Sequence, residues 1–338
     1  MKSVLITGGA GYIGSHMTLA LLNRGVRVIV MDNLVNSSQV SLLRVEAITG
    51  KKITFYQGDV RQQEDIEEVF RENGIESVIH MAGLKSVSES VHSPCRYYQN
   101  NVTGTLNLLA VMQKQKVKKL IFSSSATVYG LPDEIPVKES CPCGGTTNPY
   151  GTTKLVAEQF LHEVVNAEPE IAITVLRYFN PAGAHESGCI GEDPAGIPDN
   201  LMPYIFQVGM GRLPCLSVYG SDYPTADGTG VRDYIHVMDL VEGHIRALDN
   251  IKPGFQAFNL GTGRGYSVFD IIKSFEKVSG KKIPVEIKPR REGDIAECLS
   301  DPSLAYEQLG WRAERSLEVM IRDAWHWHKK NPDGYLNC

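Results

Sequence analysis

The sequence predicts an α/β fold in which a mostly parallel sheet carries helices on both faces. A short apolar run at 3–6 leads into a glycine-rich turn at 7–14 and then into a helical pattern. Branched apolar runs continue to alternate with helical patterns, which is typical of parallel strands joined by helical crossovers. With 338 residues, 42% of them hydrophobic, the chain is long enough for two domains with a buried core.

The glycine-rich turn predicts a dinucleotide-binding unit. Gly8 would permit a sharp turn, Gly11 would let the backbone approach a pyrophosphate, and Gly14 would let the helix pack close to the strand, with the phosphates at the helix N-terminus. A second apolar strand at 26–31 ends at Asp32, whose carboxylate would accept hydrogen bonds from the adenosine ribose. Because a carboxylate repels a 2′-phosphate, we expect NAD rather than NADP; the alternative is that Asp32 only caps the next turn.

The following segments extend the same pattern. Asp59 follows the third strand, where it can meet the nucleotide, cap the next helix, or do both. The small residues after the fourth strand, 81–83, suit close contact with a cofactor. We expect strands over 53–56, 77–80, 120–122 and 171–177, and helices over 37–48, 63–73, 97–116 and 150–166.

A second, smaller domain is expected from the remainder of the chain. Residues 181–230 are rich in Gly and Pro, which favours irregular loops that form a lid or a substrate site. We expect a Rossmann-type doubly wound sheet in 1–180 plus 231–262, with a helix over 239–248 and a strand over 257–260 that returns to the main sheet. A mixed α/β substrate domain would comprise 181–230 plus 263–338, with elements over 266–280, 283–287 and 317–329.

Composition excludes several functions. The net charge of −5 and the absence of a basic patch argue against a nucleic-acid partner, and no apolar run approaches the length of a membrane span. The first residues lead into a strand rather than a signal peptide, so we expect a cytoplasmic protein. The seven cysteines are an odd number and predict reduced thiols; the close pair Cys141 and Cys143 lacks a zinc-binding spacing, so no metal site is expected.

Three polar residues suggest proton-transfer chemistry. Tyr150 and Lys154 are four residues apart in a helical pattern and therefore share one helix face. An ammonium group near a phenol stabilises the phenolate, and a positively charged nicotinamide beside it would lower the phenol pKa further. Tyr150 could then act as a base, with Ser125 orienting a substrate hydroxyl. The alternative for any such pair taken alone is that both side chains face solvent.

These residues carry a family resemblance. The glycine-rich turn, Asp32, Ser125 and the Tyr150-x-x-x-Lys154 pair resemble, in this order, the extended short-chain dehydrogenase/reductase family. Five longer segments make the resemblance specific to members that invert C4 of a UDP-hexose, and the similarity covers essentially the whole chain: 7–16, 82–85, 123–130, 176–180 and 230–237.

The resemblance implies an isomerase that keeps NAD bound and works through a 4-keto sugar. A related enzyme that eliminates water (a 4,6-dehydratase) or carbon dioxide (a decarboxylase) is an alternative, and so is a non-catalytic NAD-sensing module. The implied cofactor contacts are Gly8, Gly11, Tyr12, Ile13, Gly14, Asp32, Asn33, Asn36, Ser37, Asp59, Val60, Met81, Ala82, Gly83, Lys85, Asn100, Tyr150, Lys154 and Phe179. The implied substrate contacts are Lys85, Ser125, Tyr150, Tyr178, Asn180, Asn200, Leu201, Tyr219, Arg232, Arg291, Asp294 and Cys298.

The two phosphates of a sugar nucleotide require fixed cations. Arg232 and Arg291 are the candidates, with Asn180 and Asn200 as neutral donors and Asp294 as an acceptor for ribose hydroxyls. Taken alone, each arginine is more often part of a surface ion pair.

One departure from the family pattern bears on specificity. Cys298 stands where the bacterial galactose-specific members have Tyr, and in the family a smaller residue there accompanies acceptance of N-acetylated sugars. The alternative is drift with compensating packing. The family often dimerises by packing two long helices, here 97–116 and 150–166, into a four-helix bundle, so the resemblance also implies a homodimer.

Overall fold

The computed structural model describes residues 3–194, 196, 198–291 and 294–336. The strands are β1 (Ser3–Thr7), β2 (Arg27–Asp32), β3 (Thr54–Gln57), β4 (Ser77–His80), β5 (Lys119–Ser125), β6 (Ala172–Tyr178), β7 (Asn180–Ala182), β8 (Leu216–Tyr219), β9 (Val231–His236), β10 (Gly254–Leu260), β11 (Gly265–Ser267), β12 (Val285–Lys288) and β13 (Glu297–Cys298). The α-helices are α1 (Tyr12–Asn23), α2 (Gln39–Thr49), α3 (Gln63–Glu72), α4 (Val87–His92), α5 (Pro94–Tyr97), α6 (Gly104–Lys114), α7 (Pro149–Ala167), α8 (Leu201–Gly209), α9 (Val237–Asp249), α10 (Val268–Ser279), α11 (Ser303–Leu309) and α12 (Leu317–Lys330).

The described residues divide into two compact units. The first comprises 3–130, 142–177 and 241–258, and the second 131–141, 178–240 and 259–336. The expected nucleotide-binding domain, 1–180 plus 231–262, differs from the first unit mainly at 131–141 and 231–240, which both belong to the second unit. For 231–240 the physical reason is pairing: β9 hydrogen-bonds to β7, β11 and β13 and does not join the large sheet.

The first unit is built on a seven-stranded sheet with the order β10-β6-β5-β4-β1-β2-β3. The central pairs are parallel: β1 with β2 and β4, β2 with β3, and β4 with β5. Thr7, the last residue of β1, lies opposite both Met31 and His80, so these strands end at the same edge. The expected doubly wound parallel sheet is confirmed, and its carboxyl edge collects the polar residues that follow each strand.

The core of the first unit explains why these strands are so apolar. All five residues of β1 are buried, as is typical of a parallel strand covered on both faces by helices. Leu5, Ile29, Val78 and Leu120 come from four adjacent strands and belong to one hydrophobic cluster. Apolar residues of α3, α6 and α7 belong to the same cluster, so the helices form the layer that the alternating pattern predicts.

The helix expected over 97–116 is interrupted. A π-helical segment, Tyr98–Thr103, separates α5 from α6. Two side chains account for the altered backbone: Asn101 bonds to both the backbone N–H and the carbonyl of Leu84, and the Thr105 hydroxyl donates to the Asn101 carbonyl at 2.6 Å. Such π-segments occur frequently at functional sites, and this one lies beside the residues that follow β4.

The second unit contains two smaller sheets and its own core. β9 pairs in parallel with β7 and β13 and antiparallel with β11, and β8 pairs in parallel with β12. The rings of Phe206, Phe275 and Trp325 stack or meet edge to face and anchor α8, α10 and α12. The region expected to be irregular therefore contains β7, α8 and β8. Helix α8 was not predicted because Pro203 lies in it, although proline is tolerated in a first helical turn.

No helix in the described part of the chain is both long enough and apolar enough to cross a membrane.

Candidate active site

The glycine-rich turn has the geometry expected of a dinucleotide loop. Gly8 has φ +73°, and a Cβ there would lie 2.6 Å from the Ala82 nitrogen, so any side chain would strike the segment after β4. A Cβ on Gly14 would lie 2.1 Å from the Gly8 carbonyl oxygen. A Cβ on Gly11 would meet only the same oxygen, at 3.4 Å. The protein itself thus requires Gly8 and Gly14, whereas Gly11 leaves space at the N-terminus of α1, as a bound pyrophosphate demands.

Asp32 is held rigidly at the edge of the sheet. One carboxylate oxygen accepts the Ala10 N–H of the glycine-rich turn at 3.0 Å, and the other accepts the Leu34 N–H at 2.9 Å and the Ser37 hydroxyl at 2.8 Å. The bond to Leu34 is a local turn, as the alternative interpretation required. The two uses are compatible, since the carboxylate oxygen bonded to Ala10 uses one of its two lone pairs and can still accept from a ribose hydroxyl.

Asp59 lies at the same edge but does not cap the next helix. The N-cap of α3 is Gln62, and no side chain makes a capping hydrogen bond there. Asp59 instead accepts the Asn33 amide at 3.0 Å and pairs with Arg61 at 2.6 Å. The hydrogen bond from Arg61 lowers the pKa of Asp59 to about 2, so its carboxylate is fully charged near neutral pH.

Ser125 and Tyr150 meet at the end of β5. The Ser125 Oγ accepts the N–H and the hydroxyl of Thr127, at 3.2 and 3.0 Å. Because its oxygen is used as an acceptor, the Ser125 hydroxyl hydrogen can point to Tyr150, and the interaction of Ser125 with the phenol lowers the Tyr150 pKa. Tyr150 is partly buried, and Ser125 is the polar residue that acts on its hydroxyl.

The pKa of Tyr150 departs from the expectation. Burial raises it above the ordinary value for tyrosine, and the hydrogen bond from Ser125 opposes this effect only in part. In the chain alone this pKa is governed by desolvation, which disfavours a buried phenolate, and not by the lowering expected from Lys154. Any net lowering has to come from a further positive charge beside the ring.

Lys154 is buried, with 6% of its surface exposed. Its Nζ donates to the carbonyl of Ser123 at 2.6 Å and lies 4.9 Å from the centre of the Phe122 ring. A Cβ on Gly83 would approach this ammonium group to 3.4 Å. Burial lowers the pKa of Lys154 to about 8, whereas Glu158 favours the charged form. The amine therefore changes charge in a range relevant to catalysis.

Other expected cofactor residues surround this edge. The Met81 N–H donates to the carbonyl of Thr7 at 3.0 Å, which ties the segment after β4 to the glycine-rich turn. Lys85 lies over the Tyr12 ring, 5.9 Å from its centre. Asn100 is buried and donates to the neighbouring Asn101 side chain at 3.1 Å.

Of the remaining cofactor residues, Ile13 lies in α1, Val60 and Ala82 follow strands of this edge, and Asn36 is exposed.

In the second unit, Arg232 and Asp294 form an ion pair with a nitrogen–oxygen distance of 3.8 Å. Arg232 also donates to the Val231 carbonyl at 2.9 Å, so its guanidinium is fixed on β9. Cys298 on β13 is the direct register partner of Arg232. Burial raises the pKa of the Cys298 thiol to about 11, so it is a neutral group beside the arginine.

A second arginine of this unit rests on an aromatic ring. The Arg291 guanidinium carbon lies 3.9 Å from the centre of the Tyr219 ring. Its other contact is a long hydrogen bond of 3.5 Å to the Asp199 carbonyl, beside Asn200 at the start of α8. The contacts of Arg291 thus include a ring and a long hydrogen bond to a carbonyl, whereas Arg232 has the long ion pair with Asp294. The remaining candidates are Tyr178 and Phe179, which are buried, and Asn180 and Leu201, which are partly exposed.

A buried polar network that is not predicted from the sequence lies behind the Tyr150–Lys154 pair. Glu158 and Arg177 form a salt bridge of 2.7 Å with side chains 5% and 7% exposed, and Arg177 also donates to the Tyr129 hydroxyl at 2.8 Å. A signal was available: Tyr150, Lys154 and Glu158 recur every four residues and so lie along one face of α7. The pairing of Glu158 with Arg177 on β6 could not be predicted from the spacing of residues along the chain.

Together, the loop, the carboxylate after β2 and the Ser–Tyr–Lys set define a dinucleotide-dependent enzyme of the extended short-chain dehydrogenase/reductase class. Residues 5–324 match the family model described as GDP-mannose 4,6 dehydratase, so the chain belongs to that family. More narrowly, it belongs with the UDP-glucose 4-epimerases. The protein of that name from Pasteurella multocida strain Pm70 is 60% identical over 98% of this chain and 99% of its own.

Solved structures agree with this assignment. A UDP-glucose 4-epimerase from Bifidobacterium longum, in complex with NAD+ and UDP, has a TM-score of 0.96 and 57% identity over 98% of this chain and all of its own. The UDP-Glc/GlcNAc 4-epimerase from Campylobacter jejuni has a TM-score of 0.85 and 34% identity over 98% of this chain and all of its own.

Proposed function

We propose that this protein catalyses the reversible inversion of C4 in UDP-hexoses with a tightly bound NAD. Its membership in the UDP-glucose 4-epimerases makes it an isomerase. The observation that carries the chemical assignment is the placement of Ser125 next to Tyr150, one helical turn from the buried ammonium group of Lys154. These groups can remove and return a hydroxyl proton without any metal ligand being required.

NAD, when bound, takes the C4 hydride of the sugar and later returns it. The glycine-rich turn would hold its pyrophosphate, Asp32 its adenosine ribose, and Lys154 its nicotinamide ribose. Tyr150, as the phenolate, takes the proton of the 4-hydroxyl while Ser125 donates a hydrogen bond that orients O4. The product is a 4-keto sugar. After the sugar turns over, Tyr150 returns the proton to O4 and the opposite configuration results.

The Tyr150 pKa gives a reason for a permanently bound cofactor. In the chain alone, burial disfavours the phenolate. The positive charge of oxidised nicotinamide, added to that of Lys154, would favour it. We therefore propose that Tyr150 becomes an effective base near neutral pH only in the complex with oxidised cofactor.

The alternative reactions are not favoured. Elimination of water needs an acid and a base near C5 and C6, which the dehydratases place directly after the serine or threonine of the fifth strand. Ala126 and Thr127 occupy those positions, and Thr127 donates to Ser125 rather than offering a carboxylate. A decarboxylase would release carbon dioxide, which a product assay detects. A non-catalytic module commonly lacks the tyrosine or the lysine, and both are present here.

We propose that Arg232 and Arg291 bind the diphosphate, with Asp294 accepting from the uridine ribose. The long contacts of these guanidinium groups, 3.8 Å from Arg232 to Asp294 and 3.5 Å from Arg291 to the Asp199 carbonyl, support this, because a phosphate could replace both partners at little cost. Asn180 and Asn200 would add neutral donors. The sugar itself must be held loosely, since it has to turn over between the two hydride transfers.

The N-acetylated substrates form the finer part of the proposal. Cys298 is smaller than tyrosine by most of a ring, which leaves room for an acetamido group. Its raised thiol pKa keeps it uncharged and compatible with an amide. The Campylobacter jejuni relative carries both sugar types in its name. We therefore propose that UDP-N-acetylglucosamine and UDP-N-acetylgalactosamine are substrates besides UDP-glucose and UDP-galactose.

We further propose a cytoplasmic homodimer. Val87 and Val91 of α4, Tyr98 of the π-segment and Leu106 of α6 are large apolar side chains between 39% and 57% exposed. They lie on or beside one of the helices that the family packs into a four-helix bundle, and a second copy would cover them. Free cysteines among the described residues are compatible with a reducing compartment. A monomeric mass in solution scattering would contradict the dimer.

The direct test is turnover of UDP-galactose and UDP-N-acetylgalactosamine by purified protein without added NAD, with both epimers followed by chromatography. Conversion of both substrates would support the reaction and the Cys298 argument. Conversion of UDP-galactose alone would support the reaction and contradict the Cys298 argument. If neither is converted, the proposed reaction is wrong.

A further inference from the structure

Three consecutive serines at the end of β5 each bind a different residue of α7. The Ser123 carbonyl accepts from the Lys154 ammonium at 2.6 Å, and the Ser124 hydroxyl donates to the Glu158 carboxylate. Ser125 interacts with the Tyr150 phenol and lowers its pKa. The strand and the helix are thus joined by three polar contacts in a row, and only the outer two belong to the Ser–Tyr–Lys set.

The middle contact rests on a buried ion pair. Arg177 donates to both oxygens of Glu158, through Nε at 3.2 Å to each and through a terminal nitrogen at 2.7 Å to one. The Arg177 guanidinium also covers the Tyr129 ring, 4.8 Å from its centre. Although burial opposes it, the hydrogen bonding to Glu158 raises the pKa of Arg177, so the arginine is permanently charged. The Glu158 carboxylate is therefore fixed in position by Arg177 and Ser124.

We infer that Glu158 is a positioning residue for the reaction: its carboxylate, fixed by Arg177 and Ser124, aligns the end of β5 with α7 and places a negative charge one helical turn from Lys154. The inference rests on the proposed roles of Tyr150 and Lys154. It assigns a functional reason to a buried ion pair that hydrophobic residues of equal volume could replace with little loss of stability.

The surroundings of Lys154 make Glu158 the decisive charge. His80 on β4 is buried, and burial followed by the Lys154 charge lowers its pKa to about 3, so it is neutral. Tyr150 on α7 would acquire charge only as the phenolate. On β6, Arg177 is already paired with Glu158. Burial disfavours the charged form of Lys154, and the carboxylate one helical turn away is the protein group that counters this effect.

Replacing Glu158 by Gln keeps the shape and the Ser124 contact but removes the negative charge. We expect the alkaline limb of the kcat profile to move to lower pH by about one unit, a shift typical of losing one nearby opposite charge. Above the wild-type limb, the rate would then be about tenfold below wild type, while well below the limb the two rates would agree within about twofold. KM for the UDP-sugar should change little.

Two comparison variants isolate the cause. Glu158→Asp keeps the charge and should restore the alkaline limb, and Glu163→Gln removes an exposed carboxylate from the same helix and should leave the profile unchanged. If the Gln variant does not fold, Arg177→Met supplies the test: an unpaired Glu158 should move the limb to higher pH. A merely structural role would lower stability in either variant without moving the limb.

The wild-type enzyme and Tyr150→Phe are measured first, so that failure of the proposed reaction is recognised independently. If the wild type epimerises and the limbs of the Gln variant and the wild type coincide, the inference is overturned. The inference is supported if the alkaline limb of the kcat profile moves to lower pH in Glu158→Gln and returns to the wild-type position in Glu158→Asp.

Discussion

Three glycine-to-alanine variants separate packing from cofactor binding in the first turn. At Gly14 an added Cβ would lie 2.1 Å from the Gly8 carbonyl oxygen and 2.7 Å from the Gly9 Cα, against rigid backbone on both counts. Overpacking costs about 1–3 kcal/mol where neighbours can shift, so we expect about 3 kcal/mol or more for Gly14→Ala. At Gly11 the only neighbour is 3.4 Å away, and the change in stability of the cofactor-free protein should stay within about 1 kcal/mol.

The amount of bound NAD tests Gly11, whereas the free energy of unfolding tests Gly14. Gly11→Ala should fold normally but purify with little NAD, because the methyl group occupies the space that the pyrophosphate needs. Gly74→Ala is the matched control, since nothing lies within 4 Å of its added Cβ. The assay is chemical denaturation of cofactor-free protein, together with chromatography of the NAD released on unfolding. A Gly11→Ala protein with its full complement of NAD would refute the pyrophosphate assignment, and a Gly14→Ala protein as stable as the control would refute the packing argument.

Further predictions follow from the same structure. Tyr150→Phe should reduce turnover by about 10²–10⁴-fold without loss of bound NAD; full activity would contradict its role as the base. His80 is neutral when folded, with its pKa lowered to about 3, so between pH 6.5 and pH 3 the unfolded chain binds more protons and stability falls as the pH falls. At pH 5 the loss amounts to about 2 kcal/mol and should be absent in His80→Gln, as checked by denaturation at pH 5 and 7.5. Cys298→Tyr should lower turnover of UDP-N-acetylgalactosamine relative to UDP-galactose by about tenfold or more; an unchanged ratio would remove Cys298 from the specificity argument.

The order of elements in the first unit could be predicted because each strand is buried on both faces. Such strands are continuous apolar runs, and the glycines and polar residues that end them are visible in the sequence. The places where the prediction failed have local causes. The π-segment arises from side-chain contacts of Asn101 with a residue far away in the chain, and the membership of β9 depends on which edge it pairs with. Neither has a signal in sequence spacing.

The candidate site was predictable to the extent that its residues follow strands or share a helix face. Gly8, Gly14 and Asp32 occupy positions that the βαβ unit dictates, and Tyr150 and Lys154 are related by one helical turn. The electrostatics were not predictable. The raised pKa of Tyr150 and the lowered pKa of Lys154 both come from desolvation, which depends on every residue packed around them.

The sequence by itself determined the parallel sheet, the dinucleotide loop and the face of α7 that carries the chemistry, because these depend on short-range periodicity and on glycines with no substitute. Only the tertiary structure decided how that chemistry is tuned. It brings Arg177 of β6 to Glu158 of α7 and buries Lys154 against the Ser123 carbonyl. Charge states in a buried site depend on distance and desolvation in three dimensions, and residue spacing along the chain records neither.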